Sequence, residues 1–91
     1  MADVHHATVF FSGRVQGVGF RYAALQIARE FEVAGYVANL PDGRVQIEAE
    51  GSKEELEAYF TALGERMQGN IRKAERSDRT RPAQFSGFVI G

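Results

Sequence analysis

The sequence predicts an α+β domain in which two amphipathic helices cover one face of an antiparallel sheet. Three observations lead to that reading. Two stretches carry apolar residues at helical spacing, and strand-like runs stand before, between and after them. The segment Leu40-Pro41-Asp42-Gly43 joins two of those runs as a tight turn.

Taken in order, Thr8 to Ser12 reads as a strand. Phe20, Ala24, Ile27, Ala28 and Phe31 then recur at helical spacing and form one apolar stripe. Gly35 is expected to end the region after that helix, where the chain turns into the next strand. Tyr36 to Asn39 and Arg44 to Glu50 form the arms of a hairpin, because proline presets the turn dihedral and glycine accepts a positive φ. In the second arm Val45, Ile47 and Ala49 alternate with Gln46, Glu48 and Glu50, the pattern of a sheet wet on one face. Ser52 followed by Glu55 is a capping box, and Leu56, Tyr59, Phe60, Leu63 and Met67 make the buried stripe of a second helix. Gln68-Gly69-Asn70 ends it. Ile71 to Ser77, rich in charge, reads as a weaker strand, and Phe85 to Ile90 as a stronger one after Pro82. The order is β-α-β-β-α-β, a ferredoxin-like sandwich of four strands, or five if the last region splits.

Composition bounds the rest. A chain of 91 residues is expected to form one domain over 1–91. A domain of that size buries about 60–65% of its unfolded surface. There is no cysteine, which excludes thiol catalysis, disulfides and cysteine-ligated metals. No apolar run approaches a membrane span, and the N-terminus lacks a signal-peptide pattern, so a cytoplasmic location is expected. A net charge of −1 argues against a general polyanion binder. The charge is uneven: Glu48, Glu50, Glu54, Glu55 and Glu57 lie in one stretch, while Arg66, Arg72, Lys73, Arg76, Arg79 and Arg81 follow in another. Two solvated faces of opposite sign account for this, with a modest steering of anions as the functional alternative.

The chemistry is concentrated in Gly13-Arg14-Val15-Gln16-Gly17-Val18-Gly19-Phe20-Arg21, which joins the first strand to the first helix. A glycine-rich turn at a helix start gathers unpaired N–H groups in one small volume, beside the positive end of the helix dipole. Successive N–H groups there form a nest for an anion, and Arg21 adds a guanidinium able to grip two phosphate oxygens. A cation in the first turn opposes the dipole by about 0.3–1 kcal/mol unless an anion is bound. The segment is neither a Walker loop, which needs Lys followed by Ser or Thr, nor a dinucleotide fingerprint, whose glycine spacing differs.

This string, followed by GYVANLPDGRV from Gly35 to Val45, closely resembles the two signature segments of the acylphosphatases. The element order and the closing Phe85 to Ile90 extend the resemblance over nearly the whole chain. It implies a hydrolase that splits the mixed anhydride of a carboxylic acid and phosphate, with no metal and no cofactor. It also implies that Val15, Gln16, Gly17, Val18, Gly19, Phe20 and Arg21 bind the phosphate, that Arg21 is catalytic, and that Asn39 orients the attacking water. Read without the resemblance, Asn39 would cap the following turn with its own side chain. Three features depart from the family pattern: Tyr36 stands where tryptophan is commonest, Ala38 where arginine is frequent, and Met67 to Lys73 lacks a Gly-Pro-Pro-like turn.

An acyl phosphate is the expected small-molecule partner, inorganic phosphate the product and inhibitor, and a monomer the expected state. Neither nucleic acid nor membrane is expected as a partner. His5-His6 makes a poor metal site, since neighbours on a strand point to opposite faces. Glu48 and Glu50 read as a solvated face rather than an acid/base pair, and Ser12, Ser77 and Ser86 lack triad partners. Two other classes stay open. A ferredoxin-like sandwich can bind RNA through exposed strand aromatics. Acylphosphatase-like domains also occur within larger carbamoyl-transfer proteins, as phosphate- or carbamoyl-phosphate-binding modules.

Overall fold

A computed structural model of the chain describes residues 3–91. Met1 and Ala2, the start of the stretch read above for a signal peptide, lie outside them. The elements are β1 (Asp3–Gly13), α1 (Phe20–Ala28), β2 (Val33–Asn39), β3 (Val45–Gly51), α2 (Lys53–Arg66), β4 (Ile71–Pro82) and β5 (Phe88–Ile90). The sheet order is β4-β1-β3-β2-β5. β1 pairs antiparallel with β3 and β4, and β2 pairs antiparallel with β3. β5 joins β2 in parallel, so the sheet is mixed rather than wholly antiparallel.

Strand alternation builds one dry face. Ala7, Val9 and Phe11 from β1, Val37 from β2, and Val45, Ile47 and Ala49 from β3 are all buried there. Both helices lie on this face. α1 contributes Phe20, Ala24 and Ile27, and α2 contributes Leu56, Tyr59 and Leu63. The Tyr59 hydroxyl donates to the Ala24 carbonyl at 3.0 Å and so ties the helices together. Burial pushes that phenol above its ordinary pKa. The α2 cap forms as its sequence predicts, with Glu55 N–H donating to Ser52 Oγ at 3.1 Å. The Glu55 carboxylate, instead of closing the box, accepts from the Glu32 N–H at 2.7 Å.

Three expectations are corrected. Gly35 is not a turn residue after α1: it lies inside β2 with φ 154°, and a Cβ there would stand 1.8 Å from the Glu48 carbonyl oxygen. Glycine is needed because another backbone passes at contact distance. The charged strand runs on to Pro82 and is the longest of the five, whereas the apolar Phe85 to Ile90 yields only three strand residues. β4 is an edge strand, where exposed charge is the ordinary solution to an unpaired rim.

The third correction concerns the other face of the sheet. Glu50, expected in water, is 3% exposed, because the segment between β4 and β5 folds across it. Gln84 and Phe85 donate their N–H groups to Glu50 Oε1 at 2.9 and 3.0 Å. The Phe85 ring packs on His6 and edge-on to Tyr36. Buried His6 places Nε2 3.1 Å from Glu48, and Arg81 reaches Glu50 at 3.4 Å. Tyr36 donates its hydroxyl to Glu48, and burial followed by that carboxylate pushes its pKa up to about 12. Burial works to raise the Glu50 carboxyl, but the two N–H groups, His6 and Arg81 outweigh it and hold it below its ordinary 4.5.

Because the folded carboxyl of Glu50 titrates below its unfolded value, its contribution to stability is whole above 4.5 and is lost as pH falls through the depressed value. Glu50→Gln is therefore expected to destabilise the protein by about 1–3 kcal/mol at neutral pH and to flatten the acid limb of the stability curve. Urea unfolding across a pH series checks this. Parallel curves for variant and parent through the acid range would exclude it.

Candidate active site

The link from β1 to α1 is held at both ends by the core. Val15 and Phe20 are each 1% exposed, so residues 16–19 must arch outward between them. Arg14 N–H donates to the Asn70 carbonyl at 2.9 Å, and Asn70 Nδ2 returns a bond to the Arg14 carbonyl at 3.0 Å. These bonds fix the near end of the arch to the start of β4. Gly17 and Gly19 have φ of 75° and 79°. Nothing lies within 4 Å of a Cβ built on either, so conformation rather than space calls for glycine.

Gly19 is also the N-cap of α1. Its carbonyl accepts from Ala23 N–H at 3.0 Å, but it has no side chain to cap the helix, and the first turn holds no acid. Among the described residues the leading N–H groups of α1 therefore have no side-chain cap, and the positive end of the dipole lies behind them. Arg21 stands in that first turn, exposed, and makes no ion pair among the described residues.

These groups open onto a pocket of about 220 Å³. Of the residues singled out in the sequence, Val15, Gly17, Gly19, Phe20, Arg21 and Asn39 line it. The fold thus brings the end of β2 against the start of α1. Asn39 is exposed, and its side chain makes no hydrogen bond among the described residues. The turn is capped by Asp42 instead, whose Oδ1 accepts from the Arg44 N–H at 3.1 Å. The amide of Asn39 is thereby left free at the pocket wall.

Two predicted residues stand apart from that wall. Val18 points into solvent at 37% exposure. The side chain of Gln16 turns away to the hairpin, where Nε2 donates to the carbonyls of Leu40 and Arg44 at 2.8 and 2.9 Å. Conversely, Tyr22 and Ile90 line the pocket and were not foreseen. Both are large apolar groups left more than two-fifths exposed, at 59% and 42%. A sequence signal existed for neither, since Tyr22 sits off the α1 stripe and Ile90 reads as an ordinary strand residue. The two histidines diverge as strand geometry requires: His5 meets Asp78 at 2.6 Å on the helix side, and His6 faces Glu48 on the other.

Comparison with known proteins fits this geometry. The family model described as Acylphosphatase matches residues 7–90. The chain belongs to the acylphosphatase family. An acylphosphatase of Mycobacterium sp. (strain JLS) is 42% identical over 82 residues, covering 89% of this chain and 87% of the relative. The crystal structure of an acylphosphatase from Bacillus subtilis superposes with a TM-score of 0.85 at 29% identity, covering 96% of this chain and 98% of that one. HypF of T. kodakarensis contains a similar unit, at 30% identity and a TM-score of 0.75, but 98% of this chain spans only 12% of that protein. The ferredoxin-like α+β fold read from the sequence is thus the fold of this family.

The two glycine positions separate conformation from contact. Gly19→Ala is expected to cost about 1–2 kcal/mol, since it forces a left-handed backbone without a clash. Gly35→Ala should be far worse, because its Cβ meets backbone. Urea melts of both variants test the ranking, and equal midpoints would contradict it.

Proposed function

We infer that this acylphosphatase works by holding the phosphoryl group of an acyl phosphate on the α1 arch while Asn39 presents the water. The observation that carries the reading is the meeting of Arg21 and Asn39, from separate elements, on one pocket with the outward-facing N–H groups of α1. The substrate needs little help, because a carboxylate is a good leaving group. Catalysis of such phosphoryl transfer rests mainly on positioning and electrostatics.

Arg21 and the backbone N–H groups of the Val15–Phe20 region neutralise the phosphoryl oxygens and fix their orientation. The Asn39 amide offers an acceptor and two donors in one neutral group, which suits it to hold a water. The water oxygen forms the new bond to phosphorus as the bond to the carboxylate oxygen breaks, and the carboxylate departs with that electron pair. Among the described residues the pocket lining holds no Asp, Glu or His, and in this reading a phosphate oxygen takes the proton. The products are a carboxylate and inorganic phosphate. The acyl group leaves past Tyr22 and Ile90, which offer it mainly apolar surface.

One shared core supports reading the chain as a single domain, and no interface is required to complete the pocket. No helix among the described residues is long and apolar enough to cross a membrane. A chain without cysteine suits a reducing compartment such as the cytoplasm, the location proposed here, with a monomer as the proposed state. The RNA-binding alternative loses ground on the open face. Arg44 lies over Phe10 there, and Phe85 packs against Tyr36, so these rings are already engaged.

Hydrolysis of benzoyl phosphate with EDTA present tests the reading. Arg21→Ala should lose both turnover and inhibition by inorganic phosphate, since deleting one partner of a charge-assisted contact costs about 2–5 kcal/mol. Asn39→Ala should keep phosphate inhibition while kcat collapses, the mark of an interaction made in the transition state. A folded parent that binds phosphate without turnover would instead favour a binding module, as within larger proteins.

A further inference from the structure

We propose that Gln16 is a positioning residue that sets the distance between the phosphate cradle and Asn39. This rests on the roles given to Arg21 and Asn39 above. The pocket is assembled from two parts that no covalent geometry holds in register, the arch before α1 and the end of β2. Among the described residues, the amide of Gln16 makes the side-chain hydrogen bonds that join them.

Both of its N–H groups are committed. One goes to the carbonyl of Leu40 at 2.8 Å and the other to that of Arg44 at 2.9 Å. Those two carbonyls flank the turn: Leu40 O also accepts from Gly43 N–H at 3.1 Å, and Arg44 O from Leu40 N–H at 2.8 Å. The amide therefore clasps the neck of the hairpin one residue beyond Asn39. On its own side Gln16 directly follows Val15, which is 1% exposed, so its backbone is anchored to the core at that end. The result is a short rigid path from cradle to Asn39.

The chemistry asks for glutamine. Two carbonyls need two donors, and a glutamate of the same shape has none. In-line attack needs the water placed within a fraction of an ångström, and a misplacement of about 1 Å can cost about 100-fold in rate. Loss of the clasp should not unfold the hairpin, because each carbonyl keeps its backbone partner.

The test compares the full chain with Gln16→Met, which keeps the length and removes the donors, and with Gln16→Ala. In both variants kcat for benzoyl phosphate is expected to fall about 10- to 100-fold, with inhibition by inorganic phosphate changed less than about threefold. In ¹⁵N–¹H spectra the Asn39 side-chain amide signals should shift or broaden. The N–H signals of Gly17 to Arg21 should still respond to inorganic phosphate as in the parent. Parental kcat in Gln16→Met would overturn the proposal, and so would phosphate affinity lost in step with kcat, which would place Gln16 in the cradle itself. A parent that binds phosphate but hydrolyses nothing would overturn the hydrolytic reading alone. The Asn39 signals would then decide on Gln16, and unmoved signals would sink it.

Discussion

Everything in the site follows from two core anchors five residues apart. Val15 and Phe20 are driven inward by the hydrophobic effect, and burying groups of their size contributes roughly 1.5–3 kcal/mol each. The chain between them is too short to pack and must arch into solvent. Glycines 17 and 19 let the arch take positive φ, and the helix that begins immediately afterwards points its free N–H groups the same way. The arch is thus an exposed stretch of backbone held at both ends by buried side chains.

The opposite face of the sheet supports the far wall of the pocket. The segment after β4 would be a loose connection if it did not find Glu50, whose carboxylate takes two of its N–H groups. Phe85 then stacks on buried His6 and meets half-buried Tyr36 edge-on. The chain leaves this contact through Gly87, whose carbonyl accepts from Gly35 N–H at 2.9 Å, and runs directly into the parallel pairing of β5 with β2. Gly91 N–H donates to the Val37 carbonyl at 2.7 Å and closes that edge. Ile90 reaches the pocket because this short strand is fixed at both ends. A buried acid on one face therefore bears on the shape of a site on the other.

Much of this was legible in the sequence, and the failures share a cause. The α1 and α2 stripes, the Ser52 cap and the Pro-Asp-Gly hairpin are set by neighbours in the chain, so periodicity and turn chemistry locate them. Glu50 and Gly35 are governed by partners far along the chain. Alternation assigns Glu50 to a face but cannot tell that a later segment covers it, and a mid-strand glycine looks like a terminator until the crossing backbone is known. β4 was undervalued because its charges weaken the apolar signal, although an edge strand is where charge is best tolerated. In the site, Arg21 is visible from the glycine-rich string, and Asn39 from its place in GYVANLPDG. The bonds from Gln16 to the hairpin are not visible, because its partners are carbonyls that every residue carries.

The electrostatics of the pocket follow from how acids are disposed around it. An exposed arginine at a helix N-terminus would ordinarily attract the nearest carboxylate, and the site would neutralise itself. The acid nearest Asn39 in sequence is Asp42, and it is already held by Arg44, through the backbone N–H at 3.1 Å and Nε at 2.8 Å. Those bonds, the backbone one first, keep its carboxyl below the ordinary value. Glu48 and Glu50 of β3 are met by His6, Tyr36 and Arg81, Glu57 of α2 by Arg76, and Glu75 and Asp78 of β4 by Lys73 and Arg76. Arg21 therefore keeps its charge uncompensated beside a helix dipole of the same sign. The arrangement is mildly unfavourable when empty, and it is relieved only by an anion that meets the guanidinium and the N–H groups together. A phosphoryl group has the oxygens to do both.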